Sequence, residues 1–427
     1  MKPSARIQAG IEILGQGHAS RVPMDAVVGD YMRTRRYIGS KDRAAVAERA
    51  YHMLRGHARL GWWLARLNAE DTPRNRMIFW LMLGEGADAK YLGDLFEGNK
   101  YAPESIDDKE AAFVTALKDE TLAHKDMPEA AACECPPEHE AALRAYFGDD
   151  FADEMKAMLA PATLDLRVNE FLIVREDAQN SLAKDTVETT LTPYSPWGLR
   201  CTRKAFLSKT KAFSKGWVEI QDEGSQLIAH MCGAQPGMQV IDFCAGAGGK
   251  TLALGAAMER KGRIVAMDND ARRLEKGRQR YKKAHLADMI EVRCLEDEKQ
   301  RKWLKRQKGK FDVVLLDVPC SGTGTWRRNP DMRWRNFGPD LAALTNLQAE
   351  IIAKAAPLVK PGGKLVYATC SLLPAENEEQ VAAFLAANPD FALQPVDSAL
   401  GLGSPHMRLT PRRHNTDGFF AAVMLKT

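Results

Sequence analysis

The chain is predicted to be an α/β protein. Its second half reads as a doubly wound, mostly parallel sheet, preceded by a small α+β region and an all-helical first part. Three observations carry this. From about residue 236, short apolar strands alternate with segments of helix length, the pattern of a parallel sheet covered on both faces. A Gly-rich turn follows the first of these strands, where such sheets bind ligands. Residues 1 to about 145 carry helical spacing instead.

The elements follow in order. The stretch beginning at Arg43 places Val46, Ala50, Met53 and Leu54 on one helical face, with Ser40 and Asp42 as candidate caps. Trp62 and Trp63 continue the pattern as core residues. Ala-rich stretches at 111–117 and 140–146 read as helices, and 121–138, ending in Pro136-Pro137, as a long loop. Residues 164–169, 170–174 and 217–220 are short, apolar and β-leaning. Later strands are expected at 239–243, 263–268, 289–293, 311–317 and 364–370, with helices from Thr251, near 270–284 and over 340–358. The expected domains are 1–145, 146–215 and 216–427, since 427 residues exceed one compact core.

Composition bounds the function. Hydrophobic residues make up 45% and charged residues 27%, as in ordinary globular proteins. No apolar run suits a signal peptide or a membrane span. Eight Cys without disulfide-like spacing suggest a reducing cytoplasm. Net charge is only +4, but it is unevenly spread. Residues 85–156 hold 19 acidic and 7 basic side chains, residues 271–310 hold 15 basic and 6 acidic, and residues 200–215 hold six basic and none acidic. That asymmetry suggests a polyanion at one face, or else merely solvated helices.

Four segments carry chemistry. The first is Asp242-Phe-Cys-Ala-Gly-Ala-Gly-Gly-Lys-Thr251, where Gly246, Gly248 and Gly249 let backbone approach a ligand at a helix start. Asp268 ends the next strand, roughly where a ribose-binding carboxylate belongs. Gly249-Lys250-Thr251 also imitates a P-loop NTPase, but Cys244 stands where that motif requires Gly. The second segment, Asp317-Val-Pro-Cys-Ser-Gly, and the third, Thr369-Cys370-Ser371, both lie at strand carboxyl ends. Cys320 and Cys370 are thus expected to meet in one cleft, where paired thiols suit covalent chemistry on a pyrimidine. The fourth, residues 325–335, has four Arg and two Trp, which suits phosphates and stacked bases. Cys133, Cys135 and His139 are too few and too acidic in setting for zinc, so no metal is expected.

Together these residues resemble the Nop/Sun (RsmB-like) family of RNA cytosine carbon-5 methyltransferases. Asp317-Val-Pro-Cys-Ser-Gly is similar to its fourth motif, Ala-Thr-Cys370-Ser to its sixth, and Cys244 through Lys250 to its S-adenosylmethionine loop. Gln221-Asp-Glu-Gly-Ser-Gln226 and Thr416-Asp-Gly-Phe-Phe420 are similar to flanking elements. The resemblance implies a class I (Rossmann-like) methyltransferase fold over about 216–427. It further implies an RRM-like region before that domain and, through Gly39 to Arg43 and Tyr51 to Arg55, an all-α NusB-like N-terminal domain. It implies Cys370 as nucleophile on carbon 6, Cys320 as the group releasing product, and Asp317 and Lys250 beside the reacting ring. The cofactor contacts it implies are Cys244, Ala245, Gly246, Ala247, Gly248, Gly249, Lys250, Asp268, Arg273, Asp317 and Glu296 (or Asp297). The family usually has Pro at Ala247, and an Asp where Cys294-Leu-Glu-Asp297 stands.

The implied function is 5-methylcytosine formation in RNA, ribosomal RNA of the small subunit first, by a cytoplasmic monomer without metal or membrane. A transfer RNA methyltransferase and a non-catalytic assembly factor are the alternatives. Exocyclic amine methylation lacks its stacking aromatic after the Pro. DNA-type cytosine methylation would not need Cys370.

Overall fold

A computed structural model describes residues 1–396 and 401–427. The chain forms two compact units, Met1–Ala160 with Asn329–Gly338, and Pro161–Arg328 with Pro339–Thr427.

The first unit is helical. Its central helix, Pro73–Leu83, buries Met77, Ile78, Phe79 and Leu81. Pro73 opens it and the Thr72 side chain accepts from Asn75 N, a good start for a helix that is apolar nearly all round. The expected helix near Arg43 spans Ser40–Arg55, but Gly39 is its N-cap and no side chain caps it. Asp42 instead pairs with the N-terminal amine and with Arg6 at 2.8 and 2.7 Å. The expected loop at 121–138 contains one short helix, Glu129–Ala132.

The second unit holds two sheets. Strands β1 (Asp165–Val168), β2 (Thr189–Leu191), β3 (Gly198–Cys201) and β4 (Val218–Ile220) form an antiparallel sheet in the order β2-β3-β1-β4. Residues 170–173, expected as strand, form a turn in which the amides of Leu172 and Ile173 both donate to Asn169 O. The larger sheet contains β5 (Gln239–Asp242), β6 (Arg263–Asp268), β7 (Ile290–Cys294), β8 (Phe311–Asp317) and β9 (Val359–Thr369), joined in parallel. Strands β10 (Phe391–Gln394), β11 (Met407–Leu409) and β12 (Phe419–Lys426) extend it, with β12 antiparallel to β9.

The order β10-β12-β9-β8-β5-β6-β7 reverses direction at β5, which has β6 on one side and β8 on the other. A crevice opens at such a switch point, at the carboxyl ends of the strands. Alternation within β8 sends Val313 and Leu315 to one buried cluster, and Val314 and Leu316 to the other. Burial on both faces explains why this strand reads as a continuous apolar run. Among the described residues, no helix is long and apolar enough to cross a membrane.

The basic, aromatic segment at 325–335 departs most from expectation. Trp326 and Arg327 are buried in the second unit, whereas Asp331 and Arg333 are buried in the first. Asp331 accepts from Met24 N at 2.6 Å, Arg333 donates to the carbonyls of Cys133 and Met155, and Trp334 stacks on His57 at 4.7 Å. These side chains are engaged within the fold, whereas Arg328 of the same segment is partly exposed and lines a cleft.

Arg333→Ala leaves two buried carbonyls short of a donor, each worth about 1–3 kcal/mol. Urea unfolding of the full chain should show destabilisation confined to the helical unit. An unchanged helical transition would show that residues 329–338 do not support it.

Candidate active site

The site is built at the carboxyl ends of β5, β6, β8 and β9. After β5 the chain turns through Cys244–Gly248 into the helix Gly249–Ala257. Gly246 and Gly248 take positive φ, +55° and +80°. A Cβ on Gly246 would lie 2.6 Å from the Arg273 guanidinium, and one on Gly248 would lie 2.2 Å from the Tyr281 hydroxyl. Both positions therefore demand Gly for conformation and for space. Ala247 is held from behind, its carbonyl accepting from Arg280 at 2.7 Å.

Asp268, at the end of β6, accepts from Gly246 N at 2.8 Å and Asp270 N at 2.9 Å, with Arg273 3.8 Å away. Its carboxylate thus clamps the Gly-rich turn. Glu296 is exposed, and among the described contacts only its carbonyl is engaged, by Arg301. Asp297 caps the helix Glu298–Lys305 by accepting from Lys299 N.

A cleft of about 360 Å³ opens beside the turn, lined by Asp242, Ala245, Gly249, Lys250, Asp317 and Phe419 among others. Lys250 donates to Asp317 at 2.6 Å. Burial works to lower the Lys250 pKa, but the Asp317 charge and hydrogen bond, with Asp242 and Cys370 nearby, outweigh it and the net shift is upward. The ammonium is therefore charged and already engaged. Asp242 is buried and accepts from Thr251 at 2.7 Å, while its second oxygen has no partner. Burial pushes its pKa up to about 7; Thr251 and Lys250 oppose this, and Asp317 and Asp268 add to it.

The two thiols meet on the other side of Asp317. The sulfurs of Cys320 and Cys370 are 3.4 Å apart. The register pairs Asp317 with Ala368, so the two loops leave adjacent strands almost level. Hydrogen bonding to Cys370, then burial, hold the Cys320 thiol well above the ordinary range.

A residue the motifs did not reveal joins these loops. Glu376 is fully buried. It accepts from Ser321 N at 2.8 Å, Gln348 Nε2 at 3.0 Å, and the hydroxyls of Ser321 and Ser371. Gln348 also donates to Pro319 O at 3.0 Å. In sequence Glu376 reads as one acid among several in Pro374-Ala-Glu-Asn-Glu-Glu379. Only a polar residue held apart from the solvated helix that follows hints at burial.

The remaining candidates resolve simply. Arg327 and Arg328 pair with Asp417 at 2.8 and 2.7 Å, and Arg328 reaches Asp222 at 3.1 Å. Cys133 and Cys135 donate to the carbonyls of Ala130 and Pro136. Among the described residues, no group of three or more His, Cys, Asp or Glu could hold a metal.

Residues 229–425 match the family model described as 16S rRNA methyltransferase RsmB/F. That span holds the Gly-rich turn, the Lys250–Asp317 pair and both thiols. Over that span, a little under half of the chain, the sequence is that of the RsmB/F methyltransferase family. A probable ribosomal RNA small subunit methyltransferase B of Synechocystis sp. is 36% identical over 271 residues, 62% of this chain and 60% of that relative. Ribosomal RNA small subunit methyltransferase B of Vibrio cholerae is 34% identical over 286 residues, 66% of this chain and 63% of its own. The match therefore spans less than two thirds of either RsmB relative. A solved methyltransferase homolog protein from Pyrococcus horikoshii is 28% identical, with a TM-score of 0.59, and covers 70% of this chain and 98% of that one.

Two measurements check this RsmB/F site. Glu376→Ala strands four donors around one cavity and should lower unfolding stability by about 3 kcal/mol or more; wild-type stability would mean the carboxylate does not hold the loops. Asp242 has a raised folded pKa against about 3.9 unfolded, so the folded state binds the extra proton. Stability of the ligand-free protein should fall as pH rises from about 4 to 7. Asp242→Asn should flatten that fall and gain stability at the alkaline end. An unchanged pH slope would show that Asp242 is not buried as an acid.

Proposed function

We propose that the chain is an S-adenosylmethionine-dependent methyltransferase forming 5-methylcytosine in small-subunit ribosomal RNA through a covalent Cys–cytosine intermediate. The observation that carries this is the pair of sulfurs 3.4 Å apart beside the Lys250–Asp317 ion pair.

The cleft suits this cofactor better than a nucleoside triphosphate. Three carboxylates, Asp242, Asp268 and Asp317, face or flank the Gly-rich turn, and Lys250 is committed to Asp317. That field repels phosphates and attracts a cation. The unpartnered Asp242 oxygen and the cleft beside the Gly-rich turn fit a ligand with an amine and ribose hydroxyls. Asp268 and the amides of the Gly-rich turn would hold the ribose side, and Asp242 and Asp317 the amino-acid side. S-adenosylmethionine supplies an electrophilic methyl group there.

The residues divide the work as follows. Cys370 adds as a thiolate to carbon 6 of cytosine, which makes carbon 5 nucleophilic. Lys250, close enough for Cys370 to raise its pKa, stabilises negative charge at that sulfur. Asp317 orients the ring and keeps Lys250 charged. Once carbon 5 carries its methyl group, Cys320, ionised by losing its own proton to solvent, takes the carbon 5 proton, and those electrons re-form the carbon 5–carbon 6 double bond. The carbon–sulfur bond then breaks and Cys370 leaves as thiolate. The raised pKa of Cys320 makes it a poorer first nucleophile at neutral pH and, once ionised, a stronger base. Two thiols that must stay reduced at this distance suit the cytoplasm.

Cys320→Ser should accumulate a covalent protein–RNA adduct on denaturing gels, while Cys370→Ser forms none and is inactive. Reversed behaviour would make the thiol after Pro319 the nucleophile. Full activity in both variants would leave a non-catalytic RNA-binding role. Bisulfite sequencing of RNA from cells lacking the chain should show one small-subunit cytosine losing its mark.

A further inference from the structure

The most exposed large hydrophobic side chain among the described residues is Phe206, at 93%. Its setting holds it outward. Leu207 beside it is buried and begins the turn Leu207–Lys209, and Thr210 ties that turn by donating to Leu207 O at 2.8 Å and accepting from Phe213 N. The ring stands alone among cations. Residues 200–215 contain no acid, and Arg203, Lys204, Lys209 and Lys211 are exposed around it. Arg200 is drawn inward to Asp165 at 2.7 Å, and Arg203 lies 3.7 Å from Glu188.

This loop is continuous with the basic helix Ala271–Lys283. Lys283 lies 3.6 Å from the centre of the Phe213 ring, and Asn169 donates to both Gly216 O and Ala284 O. One turn back, Arg280 lines the cleft that contains Lys250 and Asp317. Among the described residues, Lys276, Lys282, Lys209 and Lys215 are exposed with no carboxylate paired to them. Arg280 and Lys283 share Glu219 at 3.0 and 4.0 Å, and the four unpaired lysines flank them on the helix and on the loop that carries Phe206.

We propose that Phe206 is a stacking platform for an unpaired base of the RNA substrate, and that the lysines of this loop and helix hold the adjoining phosphates. The proposal rests on the RNA methyltransferase reading above. A protein-docking face would present a contiguous apolar patch. A single exposed aromatic ring in a segment of exposed cations without acids is the composition that binds single-stranded nucleic acid.

The test is equilibrium binding of a labelled, unstructured single-stranded RNA to the full chain over a range of salt. Phe206→Ala should weaken binding about tenfold at every salt concentration, because stacking carries no charge. Phe206→Trp should retain affinity, and Phe206→Leu should behave like Ala. Replacing Lys209 and Lys215 with Gln should make the slope of log K against log salt shallower by about 1.4. In methyl transfer, Phe206→Ala should raise KM for RNA and leave kcat unchanged. Wild-type affinity in Phe206→Ala overturns the platform, as does an unaltered salt slope in the lysine variant. Full RNA affinity in Phe206→Leu with altered self-association would make the face a protein contact instead. A wild-type chain that binds RNA but transfers no methyl group would refute the catalytic reading alone, because the affinities still decide the platform.

Discussion

The site depends on one buried carboxylate. Parallel strands β8 and β9 bring Cys320 and Cys370 to the same edge, but parallel pairing ends at Asp317 and Ala368. Beyond those residues, loops with no ladder must keep two sulfurs in contact. Glu376 does this by accepting from both loops and from Gln348 of the helix Leu341–Ala355. Thr323 adds a second tie, accepting from Leu372 N at 2.8 Å, and Gly324 N donates to Cys370 O at 2.9 Å. A buried anion with this many donors is well satisfied, and hydrogen bonds to it are stronger than neutral ones. The sulfur separation is thus set by groups that take no part in chemistry, which is how a reacting pair stays placed without stiffening its own side chains.

A second constraint is electrostatic. β5, β6 and β8 each end in Asp, and three carboxylates around one cleft would repel one another if all stayed ionised. The fold relieves this in different ways at each strand end. Asp317 takes the ammonium of Lys250. Asp268 takes two backbone amides and the nearby Arg273. Asp242 takes a single hydroxyl and is pushed toward neutrality. The cleft remains a place that favours a cation, even though the chain is net positive and its outer helix is strongly basic. One unit therefore carries opposite fields, acid inside the crevice and base along its outer helix.

Much of this was legible in sequence because parallel sheets write plainly. Strands buried on both faces give unbroken apolar runs, and each run here ended at the residue that reaches the site, Asp242, Asp268, Asp317 or Thr369. The Gly-rich turn was readable because positive φ at Gly246 and Gly248 leaves few other residues possible. The strand at Phe419–Lys426 was not foreseen, although it is as apolar as β8, because nothing in an antiparallel return over so long a separation announces its partner. Ser40 looked like a cap, but the helix already begins at that residue and Gly39 holds the cap position. Glu376 stayed hidden for a different reason. Its partners come from three separate segments, so no local spacing encodes them.

Two segments that both combine cations with aromatics met opposite fates, and the difference lies outside both of them. Residues 325–335 and 200–215 each combine cations with aromatics. In the first, Arg327 and Arg328 find the carboxylates of Asp222 and Asp417; burial and the neighbouring Asp417 push the Asp222 pKa up to about 7, with both guanidinium groups opposing the rise. That network cements Trp326 into the core and spends its positive charge there. In the second, only Arg200 finds internal acids, Asp165 and Glu223, and the cations beyond it are left on the surface with Phe206. Whether a basic aromatic stretch becomes mortar or contact surface is decided by the carboxylates the fold delivers to it. Local composition carries no sign of that supply, because Asp222 and Asp417 are 195 residues apart.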